Sequence, residues 1–176
     1  MNKQYNIVHN QSSTRTNITS VVFFSLYRCK SFYQVFIKEI PMGLKITGKL
    51  VGVNSTEITH GPSGAIIKTT APVDNGGDGS SFSPTDLCAA SLGACASTVI
   101  GMYANRNNIN LSSIEFHIEK EMSTSPRRIS KLIVTFLLKT NCSDDDFRRL
   151  VGVGKTCPVR MSLSENTVIQ EKYERV

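Results

Sequence analysis

Between residues 45 and 51 the chain alternates, with Ile46, Gly48 and Leu50 on one face and Lys45, Thr47 and Lys49 on the other, the period-2 pattern of a strand. Two further strands are expected at 56–59 and 65–70, joined as a hairpin by the turn residues Gly61-Pro62-Ser63-Gly64. Residues 72–81, which include Asp74-Asn75-Gly76-Gly77-Asp78-Gly79, read as a flexible loop. They lack the strand-to-helix setting and the lysine of a phosphate cradle. A helix then begins: Ser83 suits an N-cap, Pro84 the first helical position, and Asp86 completes a capping-box arrangement. Its body runs to about Arg106 and is rich in Ala, Ser and Gly, which predicts a central buried helix in which Gly93 and Gly101 admit close neighbours. Asn107 and Asn108 end it.

Alternation returns at Ile114, Phe116, Ile118 and Met122, interleaved with Glu115, His117, Glu119 and Glu121, a half-buried strand with a charged outer face. A partner strand is expected at 129–139, beyond the turn residues Ser123-Thr124-Ser125-Pro126. Ser143 with Asp144, Asp145 and Asp146 reads as the cap of a second helix, with Phe147, Leu150 and Val151 on its apolar face and the carboxylates as capping groups rather than a metal site. A last strand is expected at 167–173. The order of strands, long helix, two strands, helix and strand predicts an α+β domain with helices on a largely antiparallel sheet.

Residues 1–41 stand apart. They carry Lys3, Arg15, Arg28, Lys30 and Lys38 against Glu39 alone, a net charge of +4, whereas the remaining 135 residues contribute only +2. This segment reads as an N-terminal extension: a targeting leader, an extra helix, or an upstream extension of a reading frame whose working start is Met42. The last is favoured, and 42–176 is the domain. The pI near 9.2 therefore says little about nucleic acid, because the domain shows no basic stripe interleaved with aromatics. At 176 residues, with 40% hydrophobic and 19% charged side chains, the composition is that of one ordinary globular domain. Its apolar runs read as too short to cross a bilayer, so no membrane partner is expected.

The five cysteines, Cys29, Cys88, Cys95, Cys142 and Cys157, form no CxxC pair and no metal-like cluster with the three histidines. An odd count without a signal-peptide cleavage motif points to a reducing compartment, with the cytoplasm as the default. Cys88, Cys95 and Met102 recur every seven residues on nearly one helical face, so Cys88 reads as core packing. Cys142 reads as part of a loop, and Cys29 as without a role. Cys95 is either a small buried hydrophobe among alanines or a nucleophile that needs activation by side chains brought near in the fold. Cys157 is either a packing residue at a helix end or a thiol freed to move by Pro158.

Ser83-Pro84-Thr85-Asp86-Leu87 followed by Ala89-Ala90-Ser91-Leu92-Gly93-Ala94-Cys95, preceded by the Gly-rich loop and answered by Cys157-Pro158-Val159, resembles the OsmC/Ohr family of osmotically inducible and organic hydroperoxide resistance proteins. It is most similar to the OsmC-like, YhfA-type branch, across about residues 42–176. The resemblance implies an intertwined homodimer with two long central helices and active sites at the subunit interface. It also implies a thiol-dependent peroxidase without a cofactor, in which Cys95 attacks the hydroperoxide, Cys157 resolves the sulfenic acid as a disulfide, and a dithiol reductant such as a lipoyl protein restores both thiols. In the hydroperoxidase branch a glutamate ten residues before the first cysteine pairs with an arginine that activates it. Here Thr85 holds that position, and no arginine occurs between Met42 and Ala104. Asp86 projects roughly opposite Cys95 at about 100° per residue, so capping is its expected role. Arg160, His60 and Lys68 are the candidate sources of positive charge. A binding or redox-sensing dimer without catalysis is the alternative reading.

Overall fold

The computed structural model describes residues 43–176, so the readings of residues 1–41, of Met42 as a start and of Cys29 lie outside the described residues. Three strands come first: β1 (Ile46–Val51), β2 (Ser55–His60) and β3 (Ile66–Thr70), paired antiparallel in that order. A single 3-10 turn, Val73–Asn75, lies in the Gly-rich segment. Asp78 organises that segment, its Oδ1 accepting from Ser80 N–H, Ser80 Oγ–H and Thr70 Oγ1–H.

Helix α1 (Pro84–Arg106) starts as expected, because Ser83 Oγ accepts from Asp86 N–H at 3.1 Å and Asp86 Oδ2 accepts from Ser83 N–H at 2.8 Å. Strands β4 (Ser113–Thr124) and β5 (Arg127–Lys139) pair antiparallel, with Phe116 opposite Phe136. Helix α2 (Asp144–Gly154) is capped by Ser143 and followed by a short helix, α3 (Pro158–Ser162), absent from the sequence-based expectation. The chain then returns as β6 (Val168–Arg175), parallel to β5, because the connection through α2 and α3 is long enough to bring it back in the same direction. Among the described residues only α1 is long, at 23 residues against 11 for α2, so two long central helices in the domain would mean two copies of α1.

The second sheet, β4-β5-β6, carries the core. Leu132, Val134, Phe136 and Leu138 of β5 are fully buried against Leu92, Ala96 and Ile100 of α1 and Leu150 of α2. Gly93 is required there: a Cβ at this position would sit 2.4 Å from the Phe116 ring. Among the described residues nothing lies within 4 Å of the equivalent point on Gly101, so the close neighbour expected there is not found among them.

Two other expectations change. Cys88 is exposed and Met102 is 48% exposed, so the seven-residue stripe is not the buried one: of its members only Cys95 packs against the core, and the core stripe is Ala89, Leu92, Ala96, Ile100 and Ala104. The heptad spacing located a face but not which face was buried. In addition, α1 is long and apolar enough to cross a bilayer by length and composition, which corrects the view that every apolar run is too short. Its buried stripe packs on β4, β5, α2 and α3, as a core helix does.

Candidate active site

The site begins midway along α1. Cys95 is adjacent to Ala96, so it lies at the edge of the buried stripe, half-buried and packed against the core. Cys157 comes from the far side of α2, where it is the N-cap of α3, with φ −61° and ψ 143°. Pro158 does not loosen the backbone there. It takes the first position of α3, for which its fixed φ is suited, and Cys157 Sγ accepts the Arg160 N–H at 3.4 Å. Because α3 packs on α1, the two thiols, 62 positions apart in sequence, become neighbours, and Cys95 is close enough to add to the upward shift of Cys157.

Their surroundings differ. Cys157 has no exposed surface. Burial pushes its thiol above the ordinary range, partly offset by the Arg160 N–H, and negative charge on Cys95 or Glu171 pushes it further. Cys95 keeps partial access to solvent. A reagent arriving from outside therefore meets Cys95 first, and Cys157 waits behind it as a protonated thiol.

Arg160 and Glu171 form a pair beneath Cys157. Arg160 Nε donates to Glu171 Oε2 at 3.3 Å, and the Glu171 side chain is only 3% exposed. Glu171 Oε1 is buried without a hydrogen-bond partner, and so is the Tyr173 hydroxyl. Burial, then the charge of Glu171 and of Cys157, pushes the Tyr173 phenol far above its ordinary value, although no hydrogen bond joins it to Glu171. The Tyr173 ring stacks on Phe136 at 4.7 Å, and its hydroxyl would lie 2.9 Å from a Cβ on Gly154, so the end of α2 closes over it.

The other candidates are elsewhere. His60 ends β2, its Nδ1 2.6 Å from Ser63 Oγ in the hairpin turn. Lys68 sits on β3 opposite Glu57. Among the described residues, no side-chain cation hydrogen-bonds to either sulfur. At the head of α1, Lys120 Nζ donates to Thr85 Oγ1 at 2.8 Å and to Asp86 Oδ1, so a lysine from β4 meets the helix where the hydroperoxidase branch keeps its glutamate. A cleft of about 530 Å³ opens there, lined by Phe82, Asp86, Ala89, Ala90, Ile118 and Lys120, and neither thiol lines it. Cys142 lies in the loop before α2, as expected.

Sequence reasoning missed Glu171, Tyr173 and Lys120. The signal for the first two was present: in β6, Ile169, Glu171 and Tyr173 share one face by alternation, so burying Ile169 and Tyr173 also buries the carboxylate. Lys120 had no such signal, because its contacts cross from one strand to a distant helix end.

A two-sheet α+β fold with a paired thiol site between a small-residue helix and a Cys-Pro turn defines the class. The family model described as OsmC-like protein matches residues 77–172, which include both thiols and Glu171. The chain belongs to the OsmC-like family. A solved structure from Psychrobacter arcticus 273-4, described as an osmotic stress induced and detoxification response protein, is 31% identical, covers 75% of this chain and 97% of its own, and superposes with a TM-score of 0.71. The OsmC like protein from Mycoplasma pneumoniae shares the fold at 16% identity, covering 78% and 99% of the two chains, with a TM-score of 0.66. The organic hydroperoxide resistance protein OhrB of Bacillus subtilis shares it at 19% identity, covering 75% and 98%, with a TM-score of 0.55. No curated protein matched significantly.

Proposed function

We propose that the protein is a thiol-dependent peroxidase that reduces organic hydroperoxides. The observation that carries this reading is the juxtaposition of an accessible Cys95 with a fully buried Cys157 across the α1–α3 contact. The family and the hydroperoxide resistance named for its Bacillus subtilis relative support it. The Cys95 thiolate attacks the outer peroxide oxygen, the O–O bond breaks, the alkoxide takes a proton to leave as an alcohol, and Cys95 becomes a sulfenic acid. Cys157 sulfur then displaces hydroxide from Cys95, closing a disulfide and releasing water. A dithiol reductant, a lipoyl protein for example, exchanges with that disulfide and regenerates both thiols. No metal or organic cofactor enters the scheme.

The active form is a homodimer in this reading. Ile46 and Leu50 of β1 and Ile67 of β3 share one face of the first sheet and are 60%, 68% and 49% exposed, an apolar surface that a second copy would cover. A mass in solution of twice 19.4 kDa supports this, and a monomer overturns it. The proposed location is the cytoplasm, with neither nucleic acid nor membrane as a partner.

The test of the activity is turnover of a tert-alkyl hydroperoxide with a dithiol reductant. Cys95→Ser should abolish it, and unchanged turnover overturns the assignment of the nucleophile. A second reading, a redox sensor that forms the disulfide without turning over, is favoured by one observation: no side-chain cation hydrogen-bonds to Cys95 among the described residues. One equivalent of disulfide without sustained dithiol oxidation would establish it.

A further inference from the structure

A carboxylate is acceptor-only and offers about four lone-pair sites. Glu171 is 3% exposed, yet among the described residues a single hydrogen bond, from Arg160 Nε, reaches it, and Oε1 has no partner. Leaving a buried charged oxygen unsatisfied is costly, so such a group calls for an explanation. The residues on either side of it on the same face of β6, Ile169 and Tyr173, pack against the apolar core.

The neighbours of Glu171 suggest its use. The charged and titratable groups around it are Cys157 before α3, Arg160 on α3 and Tyr173 on β6, with Cys95 of α1 beyond Cys157. Cys157 is sealed from water, and it has to lose a proton before its sulfur can attack. We propose that Glu171 takes the Cys157 proton as that sulfur closes on Cys95, and that Arg160 is a positioning residue holding the carboxylate in place. This rests on the disulfide chemistry above. In that step the S–H bond of Cys157 breaks and its proton passes to Glu171. The S–S bond forms as the S–O bond of the Cys95 sulfenic acid breaks, and the departing hydroxide takes the proton from Glu171 to become water. Two sulfurs are oxidised to the disulfide level by the peroxide already consumed, and Glu171 returns to its carboxylate form.

The test reads the attack by Cys157 without any peroxide. In a background of Cys29→Ser, Cys88→Ser and Cys142→Ser, Cys95 is converted to its mixed disulfide with 5-thio-2-nitrobenzoate, and release of the coloured thiolate is followed by stopped flow. Cys157→Ser should hold the label. With Glu171 present, release should be flat between about pH 6 and 8, since the carboxylate takes the proton and hydroxide is not needed. Glu171→Gln keeps an oxygen for Arg160 but cannot take the proton. Release should slow at least tenfold at pH 7 and then climb about tenfold per pH unit, because hydroxide must do the work. Glu171→Asp should restore much of the rate and the flat profile.

Release from Glu171→Gln at the unaltered rate with a flat profile overturns the proposal. So does a tenfold-per-unit climb in the chain that retains Glu171, which needs no folded variant at position 171. Glu171-dependent release in a protein that does not turn over hydroperoxide would instead overturn the peroxidase reading and leave this step standing.

Discussion

Two cation–carboxylate pairs in this fold use the same chemical groups to different ends. At the head of α1, Asp86 accepts from Ser83 N–H and from Lys120, Lys120 also reaches Thr85, and the Asp86 side chain is 42% exposed. Beneath Cys157, Glu171 is sealed in and accepts one hydrogen bond, leaving an oxygen bare beside a thiol and a phenol. The first pair is satisfied and therefore structural. The second is under-satisfied, and an unsatisfied buried charge is where a reacting proton can be accommodated. The arrangement also bears on the resemblance to the hydroperoxidase branch, whose glutamate position is Thr85 here: among the described residues, the charged pair beside the thiols comes after the second cysteine rather than before the first.

The strongest challenge to that contrast is the thiol itself. Cys157→Ser should eliminate the 95–157 disulfide completely while leaving sulfenic acid formation at Cys95 intact, as read by mass spectrometry after trapping with a sulfenic-acid reagent. Loss of the trapped sulfenic acid as well would mean that Cys157 also activates Cys95, and the division between attacking and resolving thiols would fail.

Stability should separate the pairs next. Glu171→Ala leaves the partly buried Arg160 guanidinium without its carboxylate and should cost about 2–3 kcal/mol in denaturant titration, below the full cost of a buried pair because Arg160 is 31% exposed. Asp86→Ala removes half of a capping box and the partner of Lys120, at about 1–2 kcal/mol, without slowing the attack of Cys157 on Cys95. If Asp86→Ala proved the more damaging to that attack, the assignment of roles would be reversed.

An acid titration should sharpen the same comparison. Burial raises the Asp86 pKa, but the hydrogen bonds from Lys120 and Ser83 outweigh it, and the net shift is downward. A carboxyl depressed in the folded state contributes stability above its unfolded value of about 3.9, and that contribution is lost as pH falls through the lower folded value. Lys120→Met should therefore flatten the acid limb of the melting temperature below about pH 4, with a loss near neutrality of no more than about 1 kcal/mol, since the pair is partly exposed to solvent. An unchanged acid limb would show that the lysine does not govern Asp86.

The head of α1 was legible because its signals are local. Ser83, Pro84 and Asp86 sit within one turn, and their residue types are those that such a turn selects. Strand alternation likewise located β1, β4 and β5 to within a few residues. Helix α1 was harder to orient, because Ala, Gly, Ser and Cys occupy every side and give little contrast between buried and exposed faces. That is why the heptad spacing points Cys88 inward although it faces out. The thiol pair was legible only through resemblance, since no spacing rule brings residue 157 to residue 95. Glu171 escaped because a charge in an alternating strand is read as outward, and the fold reverses that expectation by placing Ile169 and Tyr173 inward on either side of it.

The smallest effect expected is that of Tyr173→Phe, and it bears directly on whether the second pair is under-satisfied. The Tyr173 hydroxyl has no hydrogen-bond partner, so removing it should change stability near neutrality by less than about 1 kcal/mol, in the stabilising direction if at all. Its effect belongs at high pH. Burial raises the phenol in the folded state, with Glu171 and Cys157 adding to the shift, so the unfolded chain releases that proton first. A raised folded pKa means that stability is intact below the unfolded value of about 10 and declines as pH rises beyond it. Cys157 behaves in the same way from its own unfolded value of about 8.5 upward. Thermal melts between about pH 8 and 11 should then show a decline in two parts, with Tyr173→Phe abolishing only the later part and Cys157→Ser only the earlier one. A variant Tyr173→Phe that loses several kcal/mol at neutral pH would reveal a hydrogen bond from the hydroxyl to Glu171. The carboxylate would then be satisfied after all, and the contrast between the two pairs would disappear.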